Sequence, residues 1–353
     1  MRFLSTAALL VISTAPALGR GLPMATYSIV AYDPAVEEWG VAVQSKFLAV
    51  GAVVPYARAK AGAVASQAWG HPNFGPQVLD LLGRGLSADS ALKAVVAADS
   101  QRDYRQLGIV DAKGDPANFT GRLCQPYAGG LTGQHYCVQG NILAQDSVLW
   151  GMAQAFENSS GPLARRLVAA LYGGQRYGGD RRGMQSAALL VVSEGGGYSG
   201  YNDRMIDLRV DDDPQPIVRL EELLDLHEKI FGAGAYLRIG LAALKQGREE
   251  KAGILVDRAM SIAAEDSNNA VLLNQVAWEL AIHDYKLAQA LRLAERAARL
   301  EPGDADIIDT WAECLARSGD YKKAVEMEKK AYAISQNPEF GEKIKVWSRK
   351  LKR

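Results

Sequence analysis

Thr26 stands where an apolar, strand-like run begins, in LPMATYSIVAYDP, residues 22–34. A threonine hydroxyl is a weak nucleophile by itself. When the same residue carries a free α-amine, that amine can act as general base, because its unperturbed pKa of about 7.7–8.0 leaves neutral base at neutral pH. This chemistry needs the threonine at the very start of a chain and anchored in a sheet. The competing reading is an ordinary first residue of a strand, a position threonine favours.

Little else in the sequence offers chemistry. There is no glycine-rich phosphate loop ending in Gly-Lys-Ser/Thr and no Gly-x-Gly-x-x-Gly after a strand. GYSGY, residues 197–201, lacks the second glycine of a nucleophile elbow. His71, His135, His227 and His283 are scattered without cysteine or acidic partners at ligand spacing, and His227-Glu228 has no second histidine at zincin spacing. No metal and no cofactor is therefore expected. The run Asp211, Asp212, Asp213 is expected to charge the start of a helix, where acids suit the dipole, rather than to bind calcium.

Elements that could position Thr26 follow from the pattern. Residues 26–32 and 39–45 read as strands around a turn carrying Asp33-Pro34, and residues 51–57 and 62–69 as two more. Residues 76–83 and SADSALKAVVAAD read as helices, the second capped by Ser87. RQLGIVDAKGDPANFTG reads as strand, turn, strand, and CQPYAGGLTGQHYC as a loop-rich segment. DSVLWGMAQAFEN and GPLARRLVAALYG read as helices, SAALLVVSE and RMIDLRV as strands, and QPIVRLEELLDLHEKIFG as a closing helix. This order predicts an α+β layered architecture rather than a βαβ alternation on a parallel sheet.

The 353 residues leave room for two domains, and 48% hydrophobic residues can bury a sizeable core. Lys plus Arg equals Asp plus Glu at 40 each, which gives no support for a nucleic-acid partner. Residues 1–19 read as a signal peptide: Arg2, then the apolar FLSTAALLVIST, too short to span a bilayer, then small residues at APA and ALG. Export, to the periplasm, is expected, with residues 20–25 a short pro-segment or linker and no membrane span in the mature chain. A cytoplasmic protein starting at Met24 is the alternative. Cys124 and Cys137 either pair in an oxidising compartment or are two buried free thiols, and Cys314 is expected in a helical core.

Composition changes near residue 232, after which glycine thins and Ala, Leu, Glu, Lys and Arg dominate. Ala290 and Ala324 are 34 residues apart, as are Ala297 and Ala331. YLRIGLAALKQGREEKA and WAECLARSGDYKKAVEMEKKA share an order of aromatic, Leu, Gly and a second-helix Ala. Residues 233–353 thus resemble tetratricopeptide repeats, with departures at Ala312, at Leu315 and in the spacing around Trp278. A generic array of helical hairpins is the alternative. Arrays of this kind bind segments of other proteins along a concave face.

The opening TYSIVAYDPAVEEWGVAVQSKFLAVGAVVPYARAKAGAVASQAW resembles that of an uncharacterised bacterial family in the N-terminal nucleophile (Ntn) hydrolase superfamily. The likeness continues through LGIVDAKGDPANFTG, VQGNIL and IDLRVDDDPQPIVRLEELLDLHEKIFG, covering residues 26 to 232. It implies a four-layer αββα sandwich and cleavage of an amide bond, in a small molecule or peptide, through an acyl-enzyme on Thr26. Ser45 and Lys46 would lie beside the nucleophile, Ser45 orienting it and Lys46 lowering the amine pKa or meeting a substrate carboxylate. A solvated strand-end lysine is the plain alternative. Gln67 and Asn141 would supply amides to an oxyanion hole or substrate, unless they are turn residues.

Two departures bear on mechanism. Proteasome-type members begin the third strand with lysine, where this chain offers Val53 or Val54. Signal cuts at Ala17 or Gly19 would leave residues ahead of Thr26, so exposing it requires autocatalytic Ala25–Thr26 cleavage or trimming by a protease. Two functions stand against each other: an exported amidohydrolase, and a non-catalytic scaffold whose repeats bind a protein partner. In either, residues 233–353 would dock a partner, form a homo-oligomer or cap the active site.

Overall fold

The structure, a computed structural model, describes residues 26–266 and 268–352; the expected signal peptide and pro-segment lie outside them. Strands β1 (Thr26–Asp33) and β2 (Glu38–Ser45) form an antiparallel hairpin in which Thr26 pairs with Ser45 and Asp33 with Glu38. Every residue of both strands is buried. Alternation sends Tyr27, Ile29, Ala31 and Ala42 to one face and Val30, Tyr32, Trp39, Val41 and Val43 to the other, so each face needs its own covering layer.

Those layers come from the rest of the chain. It runs through β3 (Pro55–Arg58), β4 (Gly62–Ala68), α1 (Phe74–Gly83), α2 (Ala88–Ala97), β5 (Arg105–Asp111) and β6 (Pro116–Thr120). It continues through β7 (Gly129–Gly133), β8 (Tyr136–Asn141), α3 (Ser147–Glu157), α4 (Leu163–Arg176), β9 (Ser186–Val192), β10 (Arg204–Val210) and α5 (Pro216–His227). Two antiparallel sheets result, ordered β10-β9-β2-β1-β8-β7 and β3-β4-β5-β6. They meet face to face through Val30, Val41 and Leu190 against Ala63, Ala65 and Val110. Helices α3 and α4 cover the outer face of the larger sheet, packing Leu149, Met152, Leu167 and Leu171 against Tyr27 and Ile29. Helices α1 and α2 cover the smaller one with Val78, Leu82 and Leu92. Ser87 caps α2 by accepting the Ser90 N–H at 3.3 Å, and Asp213 accepts the Gln215 N–H at 2.7 Å ahead of α5.

Two expectations change, and one open alternative is decided. Within residues 51–57 the strand is confined to β3, because a short 3-10 turn (Val50–Ala52) precedes it. The segment read as loop-rich holds β7 and the first two residues of β8. Its glycines hid β7: a Cβ at Gly130 would come within 2.4 Å of Asn118 and one at Gly133 within 2.2 Å of the Tyr136 ring. Close packing therefore demands glycine where a strand signal expects branched residues. Cys124 and Cys137 are free thiols. Cys124 Sγ lies 3.4 Å from the Arg105 carbonyl and Cys137 Sγ 3.6 Å from that of Ile109. These points on β5 are roughly 13 Å apart at ~3.4 Å per residue, beyond the reach of a disulfide.

After α5 a single π turn (Glu228–Gly232) leads without a break into α6 (Ala233–Lys245), so the compositional change at 232 falls inside one helical run. Then follow α7 (Glu249–Glu265), α8 (Ala270–Ile282), α9 (Leu287–Leu300), α10 (Ala305–Arg317), α11 (Tyr321–Ser335) and α12 (Pro338–Lys350). Helices pack as α6 with α7, α8 with α9 and α10 with α11, and α12 adds to α11. Ala290, Ala297, Ala324 and Ala331 are fully buried within this packing, where small side chains let helix axes approach. None of the described helices is long and apolar enough to cross a membrane.

This helical region grips the β1–β2 turn. Arg248 and Lys251 reach Glu37 at 2.5 and 3.0 Å, and Arg258 lies 3.5 Å from both Asp33 and Glu38. Arg238 donates to the Gly195, Gly196 and Gly197 carbonyls of the β9–β10 loop. Thr26 is at the other end of β1, roughly 23 Å away at ~3.3 Å per residue. The ion pairs of the helical region with this hairpin therefore lie at the Asp33–Glu38 end.

Candidate functional site

Thr26 and Ser28 share the face of β1 that looks between the sheets. Their neighbours on that face are Ser45 of β2, Gln139 and Asn141 of β8, Gln67 of β4 and Gln106 of β5, all with at most 1% of their surface exposed. The inter-sheet layer is thus apolar at the Tyr32–Trp39 end and polar at the Thr26 end. A buried polar group costs free energy unless it is hydrogen-bonded, and most of these groups have partners.

Thr26 Oγ1 donates to Ser45 Oγ at 3.2 Å. Gln67 Nε2 donates to the Thr26 carbonyl at 3.3 Å, to Gln106 Oε1 at 2.8 Å and to the Gln139 carbonyl at 3.4 Å, while its Oε1 accepts from Ser28 Oγ at 2.6 Å. Ser28 Oγ in turn accepts from Gln139 Nε2 at 2.6 Å, and a Cβ at Gly108 would stand only 2.0 Å from that side chain. Gln106 is the hub. Its Oε1 also accepts from Asn141 Nδ2 at 3.0 Å, and its Nε2 donates to Gly140 O, Thr120 Oγ1 and Gly129 O at 2.8, 2.9 and 3.1 Å.

Roles separate on this geometry. Both N–H groups of Gln67 are spent on protein acceptors, so it holds the Thr26 backbone. Asn141, the direct strand partner of Thr26, gives one N–H to Gln106 and keeps a second. The chain turns sharply just past both amides: Ala68 and Ile142 have φ of 66° and 52°. For a β-branched isoleucine the left-handed region costs about 1–2 kcal/mol, a strain typical of functional sites.

Lys46 sits differently from expectation. Its exposed Nζ donates to the Met184 carbonyl at 3.2 Å, and its backbone N–H donates to Asp180 Oδ2 at 2.8 Å. The side chain is thus drawn to the loop before β9. That loop carries two residues that sequence reasoning missed. The Asp180 side chain is fully buried and accepts from the Arg182 backbone N–H at 2.9 Å and from the Arg182 guanidinium at 3.0 and 3.2 Å. Arg181 N donates to Ile142 O at 3.0 Å, and Gln185 N to Ser45 O at 3.1 Å. The loop therefore spans the end of β1 between its two neighbouring strands. Burial pushes the Tyr27 hydroxyl well above its ordinary range, and the Asp180 carboxylate adds to that rise. The one available signal was Gly178-Gly179, both at positive φ, which lets the chain fold tightly ahead of an acid.

The site thus belongs to an α+β protein of two antiparallel sheets extended by an all-helical region. Residues 26–220 match the model of a family described as a family of unknown function, DUF1028, and the chain belongs to that family. The match begins at Thr26 and ends within α5, so α6–α12 lie outside it. The chain is also similar to the crystal structure of protein SPO2555 from Silicibacter pomeroyi, whose description carries the same family name. The two are 35% identical, with 58% of this chain and 89% of that one covered and a TM-score of 0.53. No curated protein matches the chain.

Proposed function

We propose that this chain is an exported amide hydrolase of the N-terminal nucleophile type, acting through Thr26 once the Ala25–Thr26 bond is cut. The observation that carries the reading is the Thr26 hydroxyl itself. It opens a central strand, faces a polar inter-sheet layer, and is hydrogen-bonded to Ser45 with Asn141 alongside. The start of the family match at residue 26 supports the same boundary.

In this mechanism the freed α-amine takes the Oγ1 proton while Oγ1 attacks the amide carbonyl carbon. Ser45 fixes the hydroxyl. The remaining Asn141 N–H meets the oxyanion, a contribution worth on the order of 10²–10³ in rate for comparable donors. The proton then passes to the departing amine, and water releases the acyl group from Thr26. Every proton is handled by Thr26's own groups, so the cycle calls for no cofactor. Two layers of helix around two sheets are the architecture such enzymes use, and the order of layers here supports that kinship.

The helical region enters this reading as a tetratricopeptide-like partner-binding module. Because it holds the β1–β2 turn, a protein segment bound along it would leave the Thr26 end open. A non-catalytic scaffold with the same module is the second reading, favoured by the full burial of Thr26.

Intact mass and N-terminal sequencing of protein from an exporting bacterial host test the proposal. The expected mature chain starts at Thr26, lies in the periplasmic fraction, and hydrolyses a member of an N-acyl amide panel, with Thr26→Ala inactive and Thr26→Ser active. A chain starting near Leu18 or Arg20, inert on that panel, sinks the catalytic reading.

A further inference from the structure

The strand register locates what faces the Thr26 amine. Thr26 pairs with Ser45 and with Asn141, so the row just ahead of it along the sheet is flanked by Lys46 and Ile142. Asp180 Oδ2 accepts the Lys46 N–H, and the next residue, Arg181, donates to Ile142 O. Adjacent strands are about 4.8 Å apart, which puts the Asp180 carboxylate on the order of 5–8 Å from the Thr26 nitrogen. Its side chain is fully buried, where a charge acts more strongly than in water.

We infer that Asp180 is a positioning residue that sets the proton affinity of the Thr26 α-amine, with Arg182 as its counterweight. This rests on the reading that Thr26 becomes the first residue. Asp180 stabilises the ammonium form and raises the amine's pKa. Arg182, bound to Asp180 through Nε and Nη2, opposes it. The amine would then be poised as a base above neutral pH rather than below it.

Other charges facing this end are few. From β2 comes Lys46, and from the same loop Arg181. From the segment after β10 come Asp211, Asp212 and Asp213, tied in through Gln185, which donates to Asp212 Oδ1 at 3.0 Å and accepts from Asp213 N at 2.7 Å. β8, β4 and β5 present Asn141, Gln67 and Gln106, which are uncharged, and the nearest cation on β5, Arg105, is paired with Asp99 at 2.6 Å.

The test needs no substrate. The full chain from Thr26 is released from a cleavable fusion, and the pH dependence of acetic anhydride acylation at the N-terminus is followed by mass spectrometry. In Asp180→Asn the midpoint should fall by about one pH unit, and in Arg182→Gln it should rise. A merely structural role would not move the two in opposite directions. An unmoved midpoint in both variants, or a shift of the same sign, overturns the inference. If Asp180→Asn does not fold, an Arg182→Gln midpoint that stays or falls overturns it, and a rise supports it. Opposite shifts in a chain that hydrolyses no amide would retain the electrostatic assignment while removing the catalytic reading.

Discussion

Replacing Gln106 by leucine is the sharpest probe of the polar layer beneath Thr26. Leucine has nearly the same size, so the backbone of β5 need not move. What changes is the bonding of one amide: its oxygen accepts from Gln67 and Asn141, and its two N–H groups are shared among Gly140, Thr120 and Gly129, four hydrogen bonds' worth in all. Net values of ~1 kcal/mol per bond, reduced by the ~1–2 kcal/mol that buried leucine methyls return, give a loss of about 3 kcal/mol. Urea unfolding followed by tyrosine and tryptophan fluorescence should show a midpoint about 1 M lower, for an m-value of ~3 kcal/mol/M. Asn141→Ala in the same background should cost less than it does alone, since its Gln106 partner is already gone. A midpoint within about 0.3 M of the parent, or strictly additive losses, would refute the hub assignment, because these bonds would then contribute nothing net.

Two further predictions concern buried carboxylates of the helical region and its junction. Glu328 is fully buried, and burial together with the nearby Asp309 carboxylate pushes its pKa up to about 9. The folded state therefore holds a proton that the unfolded state releases above its ordinary value, so stability falls as pH rises from about 4.5 to about 9. Glu328→Gln should remove that slope, stabilising the protein by up to ~3 kcal/mol at pH 7 and hardly at all at pH 4, as read by thermal melts at the two pH values. Arg258→Met leaves Asp33 and Glu38 without their guanidinium. Burial already raises Glu38 to about 7, so the loss, about 2–3 kcal/mol at pH 8, should shrink at pH 6, where the carboxyl is protonated. Equal losses at both pH values would remove Glu38 from the explanation.

Local pattern carried much of this architecture. The alternation in β1 and β2, the Ser87 cap and the Lys113-Gly114 turn between β5 and β6 each depend on residues adjacent in the chain. β7 escaped because its glycines answer to Asn118 and Tyr136. The site divides in the same way. Thr26 and Ser45 follow from the hairpin register, and Asn141 from a family likeness. Gln106 and Asp180 become neighbours of Thr26 only when a second sheet and a distant loop close over it, which no spacing encodes. Gln67 was legible as a site residue, but its direction was not: its amide turns inward to the Thr26 carbonyl. The lysine at the end of β2 shows the reverse, a residue placed correctly along the chain whose side chain is drawn elsewhere by Met184.

The two ends of β1 carry different burdens, and the sequence of the strand accounts for both. At Thr26 and Ser28 the inward side chains are hydroxyls, which can be buried only because four amides from β4, β5 and β8 hydrogen-bond around them. From Val30 onward the same face is apolar and locks the sheets together without polar partners. Asp33 then ends the strand as an ion-pair partner of Arg258. A rigid apolar middle thus separates a polar end, where chemistry at Thr26 is proposed, from an ionic end that anchors the helical region. Changes at the Arg258 junction should therefore alter how that region is held while leaving the Thr26–Ser45 hydrogen bond intact. Loss of amide hydrolysis in a folded Arg258→Met protein would contradict this division, because it would require the ionic end to act through the packed core on a hydroxyl roughly 23 Å away.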